Sequence, residues 1–119
     1  MILADTSVWI DHFKRRNETL CDHLEDGEIA VHPYVIGELA CGHLRSRAKI
    51  LQLFAELPSL AGLELREALA FVEAHKLMGL GLGWADVHLL AAARLGDAQL
   101  WTLDKRLETT ARRLGVGKR

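Results

Sequence analysis

Apolar residues recur along this chain in two rhythms. Ile2-Leu3-Ala4 is a short continuous run that stops at Asp5, and beyond it Val8, Trp9, Ile10 and Phe13 fall at spacings that share one helical face. The pattern predicts a strand followed by a helix. A second amphipathic piece carries Leu20 and Leu24 and ends at Gly27, after which Ile29-Ala30-Val31 predicts another strand. Pro33 suits the first turn of a helix, where its missing N–H would be unpaired anyway, and that helix is expected to reach about Gly42. From Arg45 to Leu57 the residues Ile50, Leu51, Leu53, Phe54 and Leu57 keep helical period until Pro58 ends the element, with a weak strand expected near Leu60.

The second half repeats the alternation. Leu65, Ala68, Leu69, Val72 and Lys76 mark a helix stopped by Gly79, Gly81 and Gly83, and a further helix from Trp84 to about Leu95 carries Leu89, Leu90 and Ala93 on its inner stripe. Residues 99–103 form the clearest late strand and end at Asp104; Leu107, Ala111 and Leu114 supply one face of a last helix, and Val116 begins a fringe strand. Short apolar strands separated by helices imply parallel pairing, because parallel neighbours need crossover connections. The expectation is a single α/β domain over residues 1–119: a central, short-stranded parallel sheet flanked by helices on both faces. Trp84 and Trp101 are expected in its core. Trp9, Phe13, Leu20, Leu24, Leu44, Leu51 and Phe54 are expected to divide between the core and an exposed groove.

Composition narrows the classes. A chain of 119 residues has room for one core, burying roughly two thirds of its unfolded surface, and 50% hydrophobic with 26% charged residues excludes a disordered or fibrous chain. The net charge of -1 carries no bulk signature of nucleic-acid binding, so any phosphate affinity must be local. Basic residues cluster at Lys14-Arg15-Arg16, at Arg45, Arg47 and Lys49, at Arg112-Arg113 and at Lys118-Arg119. Cys21 and Cys41 have neither CxxC nor Cys/His ligand spacing, which argues against a zinc site or a disulfide framework. The apolar run before Asp5 is too short for a secretory leader and no stretch is long enough to span a membrane, so a cytoplasmic protein is expected.

Candidate chemistry lies in four acids. In open parallel sheets, sites gather at the carboxyl ends of the strands. Asp5 and Asp104 each follow a predicted strand directly. Either could simply cap the next helix, accepting hydrogen bonds from free backbone N–H groups. Asp86 could be an acid favoured in a first helical turn, yet it shares a face with Leu89, Leu90 and Ala93, and an acid turned inward needs a partner. Glu38 has Val35 at i-3 and Cys41 and Gly42 at i+3 and i+4. If the four carboxylates converge, their repulsion raises some of their pKa values unless cations neutralise the site. All-oxygen ligation suits magnesium or manganese, which can polarise a phosphodiester and activate water. Position 7 is Ser, where a haloacid-dehalogenase phosphatase needs a second Asp. The glycine run at 79–83 follows a helix rather than the strand required by a dinucleotide loop. The six histidines show no triad or HExxH spacing and are expected to be structural or superficial.

Across essentially its whole length the chain resembles the PIN-domain nucleases. The resemblance is carried in order by ADTSVWID with Asp5, Thr6 and Ser7, HPYVIGEL with Glu38, GLGWADVHLLAAA with Asp86, and LWTLDKRL with Asp104. The short length and the HPYVIGELACGHL segment are similar to the VapC branch, toxins of bacterial toxin-antitoxin modules. The resemblance implies a Mg2+- or Mn2+-dependent endoribonuclease, a VapB-type antitoxin that inhibits it, an RNA substrate and a homodimer. It also implies that Asp5, Glu38, Asp86 and Asp104 ligate metal directly or through water, with Thr6 or Ser7 holding the first carboxylate or a water. Hydrolysis of structured cellular RNA would leave 5'-phosphate and 3'-hydroxyl ends, and Arg15, Arg16, Arg45 and Arg47 are the candidate phosphate contacts. A free-standing RNA-processing nuclease and a PIN-like domain that only binds a partner are the competing readings.

Overall fold

The structure, a computed structural model, describes residues 1–60 and 62–119. Its elements follow the predicted alternation: β1 (Ile2–Ala4), α1 (Thr6–Arg15), α2 (Glu18–Glu25), β2 (Ile29–Ala30), α3 (Pro33–Ala40), α4 (Arg47–Glu56), α5 (Leu65–His75), α6 (Trp84–Leu95), β3 (Gln99–Trp101) and α7 (Lys105–Arg113). The strands form a parallel sheet in the order β2-β1-β3, with Ile2 opposite both Ile29 and Gln99. The two fringe strands expected from sequence are single parallel bridges, Val31 to Ser59 at one edge and Leu100 to Gly117 at the other.

The path of the chain sets the layers. It moves outward from β1 through β2 to Ser59, then returns across the sheet to β3 and Gly117. Right-handed crossovers therefore place α1 to α4 on one face and α5 to α7 on the other. The contacts agree: α1 packs on α3 and α3 on α4, while α5 packs on α6 and both α6 and α7 pack on β3. Helix α6 is the most enclosed of the helices, with every residue from Val87 to Ala93 buried. Ala91, Ala92 and Ala93 keep that helix slim enough to lie between the sheet and α5. Trp9 and Phe54 close the other face edge to face, their ring centres 4.9 Å apart. A fully buried Phe side chain of this kind contributes about 1.5–3 kcal/mol.

Two expectations are corrected. Strand β3 ends at Trp101 rather than Leu103, because the next groups bond to side chains instead of the ladder: Leu103 N donates to Ser7 Oγ at 2.9 Å and Thr102 Oγ1 to Asp5 Oδ2 at 2.6 Å. Trp84 is not core but 42% exposed, since it occupies the first position of α6 before that helix passes under the sheet. Trp101 is half-buried, with the Lys118 ammonium over its ring. Of the apolar residues expected to be shared, Trp9, Leu20 and Phe54 are fully buried, Leu24, Leu44 and Leu51 are half-buried, and Phe13 is exposed.

Candidate active site at the carboxyl edge of the sheet

Helices that follow parallel strands begin at the carboxyl edge, and a helix that leads into a strand also begins there. The starts of α1, α3, α6 and α7 accordingly share one rim, which brings Asp5, Asp86 and Asp104 to the same edge of the sheet. The rim includes the gap between β1 and β3, from which the chain crosses to opposite faces, the topological position where ligands bind in such sheets.

Asp5 is the anchor. It is only 6% exposed and serves as the N-cap of α1, with Oδ1 accepting from Val8 N at 3.3 Å. Ser7 Oγ donates to Oδ1 at 2.5 Å and Thr102 Oγ1 to Oδ2 at 2.6 Å. Burial pushes the Asp5 carboxyl above its usual range, an effect opposed in turn by the Ser7, Thr102 and Val8 hydrogen bonds. Thr102 also reaches Asp104, accepting from its backbone N–H at 3.0 Å. A pair of hydroxyls thus ties the ends of β1 and β3 together around one carboxylate.

The other acids surround this anchor less tightly. Asp104 caps α7 through Oδ1, which accepts from Arg106 N at 2.9 Å and Leu107 N at 3.3 Å. Asp86 is half-buried in the first turn of α6, with Oδ2 accepting from Gly83 N at 2.9 Å. Glu38 is exposed on α3, where Thr6 Oγ1 donates to its Oε2 at 3.2 Å. Both helix-capping and site-lining descriptions therefore apply to Asp5, Asp86 and Asp104. Among the described residues, no group of three or more His, Cys, Asp or Glu side chains comes together closely enough to hold a metal ion. The donors are nonetheless of one chemical kind, carboxylates and hydroxyls, and the innermost carboxylate is buried without a cationic partner among the described ion pairs. That donor set fits a hard divalent cation better than a soft one.

Thr102 escaped the sequence reading. A threonine inside an apolar strand looks like ordinary β composition, and only its register beside β1 turns the hydroxyl toward Asp5. Thr6 and Ser7 divide the role expected of either one, since Ser7 holds Asp5 while Thr6 holds Glu38. The arginines divide as well. Arg15 pairs with Asp11 at 2.7 Å and Arg16 with Glu18 at 2.8 Å. Arg47 donates to the Gly42 carbonyl, whereas Arg45 lines a groove with Ile10, Phe13, Lys14, Glu38 and Leu39. This groove has a volume of about 410 Å3.

The PIN-domain family matches residues 2–113. Among curated proteins, the chain is 43% identical over 117 residues to Ribonuclease VapC32 from two strains of Mycobacterium tuberculosis, covering 98% of this chain and 94% of that protein. Among solved structures, the crystal structure of PAE2754 from Pyrobaculum aerophilum superposes with a TM-score of 0.60 at 16% identity, over 96% of this chain and 94% of the other.

Proposed function

Because the chain belongs to the PIN-domain family, we propose that it is a metal-dependent endoribonuclease and the toxin of a VapBC-type toxin-antitoxin module. The observation that carries the reading is Asp5: a buried carboxylate, held by two hydroxyls and capped only by neutral donors, at the edge where Asp86 and Asp104 also lie. A protein accepts a buried carboxylate of this kind, without a cationic partner, where a cation will neutralise it.

Mg2+ or Mn2+ would be held by Asp5, Asp86 and Asp104, with Glu38 acting directly or through water, and would supply Lewis-acid polarisation of a phosphodiester and a lowered water pKa. The chain's own groups do the positioning. Ser7 and Thr102 fix both Asp5 oxygens, so the carboxylate keeps one orientation whatever the substrate does. Thr6 steers Glu38 toward the start of α1. The caps on Asp86 and Asp104 each use one carboxylate oxygen and leave the other available. RNA is the proposed substrate and would lie along this rim, with Arg45 and Arg47 contacting its backbone beyond Glu38.

A VapB-type antitoxin is the proposed partner for the groove lined by Ile10, Phe13, Leu39 and Leu44. Its apolar floor runs up to Glu38, so an occupant would cover the rim as well as bury Phe13. The chain is expected to act as a homodimer. Among the described residues, no helix is long and apolar enough to cross a membrane.

Cleavage of total RNA by antitoxin-free protein tests the reading, run with Mn2+, Mg2+ or EDTA on wild type, Asp5→Asn and Asp86→Asn. Cleavage that needs metal and both acids supports it. A folded protein that neither cleaves RNA nor binds either ion is a binding domain instead.

A further inference from the structure

Trp84 is exposed where packing gives no reason for tryptophan. It stands at the first position of α6, two residues ahead of Asp86, with 42% of its surface open. Its ring is nevertheless held in place: it meets His88 at 83° with ring centres 4.9 Å apart. His88 is buried, and its ring also meets that of Tyr34, which is 41% exposed, with centres 4.5 Å apart. Tyr34 is the second residue of α3 and lies one helical turn ahead of Glu38. His88 is thus a buried brace between two exposed aromatic rings, one on each of the helices that carry Glu38 and Asp86. His32 supports the brace from behind: its Nδ1 accepts from Tyr34 N at 3.0 Å and its ring lies 5.1 Å from that of Tyr34.

Cations flank the same rim. Lys105 and Arg106 directly follow Asp104, and among the described residues neither forms an ion pair. The Arg106 side chain lies across the loop that leads into Trp84, so close to Gly81 that a Cβ there would come within 2.9 Å of the guanidinium. Gly81 also has φ +76°, which independently favours glycine. With Leu80, Thr109 and Thr110, these two cations line a shallow trough of about 310 Å3.

Exposed, rigidly mounted aromatic faces beside unpaired cations are what unpaired nucleotides require: bases stack on the rings and phosphates meet the charges. We propose that Trp84 and Tyr34, braced by His88, form a base-stacking platform for unpaired RNA nucleotides next to the scissile bond, with Arg106 contacting the adjoining phosphate. The proposal rests on the ribonuclease reading and adds to it the residues that grip the substrate. It also selects unstacked loop nucleotides over regular duplex, whose bases offer no free face.

The test uses the Asp5→Asn protein, which is expected to hold RNA without cutting it, and a labelled single-stranded RNA of twelve mixed-sequence nucleotides, with affinity read by fluorescence anisotropy. Trp84→Leu in that background is expected to raise Kd by about 5- to 150-fold, while Trp84→Phe keeps most of the affinity because a ring remains. Tyr34→Leu moves Kd in the same direction. The salt dependence is unchanged by Trp84→Leu and becomes shallower by about one ion in Arg106→Gln. Melting temperatures close to the parent's establish that the variants are folded. If folded Trp84→Leu binds as tightly as the parent while wild type cleaves RNA, the platform is refuted and the ribonuclease stands. Unchanged RNA affinity with loss of a dimer in sedimentation also refutes it and assigns Trp84 to a contact between chains. If wild type does not cleave and the parent binds no RNA, the ribonuclease reading falls and the platform with it.

Discussion

Replacing Thr102 with Val removes one hydroxyl and keeps the shape, in the middle of the device that holds Asp5. The hydroxyl donates to a buried carboxylate at 2.6 Å and accepts from Asp104 N at 3.0 Å. A hydrogen bond to a charged group contributes about 1.5–3 kcal/mol, and the part-buried Asp104 N–H loses its partner too, so a loss of about 2–4 kcal/mol is expected at neutral pH. For a domain of this size that lowers the melting temperature by about 8–16 °C. The loss has a definite pH dependence. Burial already raises the Asp5 pKa above the ordinary value, and removing a donor raises it further. The charge-dependent part of the variant's deficit is therefore complete above its own folded Asp5 pKa, shrinks as pH falls from there to that of wild type, and is gone below it, where both proteins carry Asp5 protonated. Urea denaturation in EDTA at a series of pH values reads this directly, with Thr102→Ser as the control that keeps the donor. A deficit of constant size at every pH, or none at all, would show that the hydroxyl does not stabilise the Asp5 charge.

Three further outcomes follow from the same geometry. Asp5→Asn should abolish RNA cleavage while leaving the metal-free protein at least as stable as wild type in thermal melts, because a buried charge is removed; a large stability loss would make Asp5 chiefly a helix cap. Burial, followed by the charge of His88, holds His32 down to about 4, so stability is complete above pH 6.5 and declines by about 3 kcal/mol as pH falls toward 4. His32→Asn, which can still cap α3, should remove that part of the acid sensitivity in pH-dependent unfolding, and an unchanged profile would exclude His32 as its source. EDTA should stop cleavage and Mn2+ restore it, with Mn2+ raising the melting temperature of wild type more than that of Asp86→Asn; equal shifts would remove Asp86 from the ligand set.

The alternation of strands and helices was legible because the strands are short and largely apolar and each helix keeps its period. What periodicity cannot express is a residue whose backbone belongs to one pattern and whose side chain answers to a distant strand. Thr102 is one such residue, and it also explains why β3 stops two residues early. Trp84 is the reverse case: large apolar residues favour cores, but α6 becomes enclosed only from Val87 onward. Asp5, Asp86 and Asp104 stood out by position, since strand ends and first helical turns can be located from pattern alone, whereas Glu38, in the second turn of α3, stood out through the family resemblance of its segment. Their hydroxyl partners depend on the β1 to β3 register, which no local signal specifies.

The bond from Thr102 to Asp5 spans 97 positions of sequence. A ribosome making this chain releases Asp5 early, but the central strand has only β2 beside it until residues 99–101 arrive. Until then Asp5 lacks its second hydroxyl, and Asp104 does not yet exist. The proposed site is therefore completed only when the last strand of the sheet docks, late in the chain's synthesis.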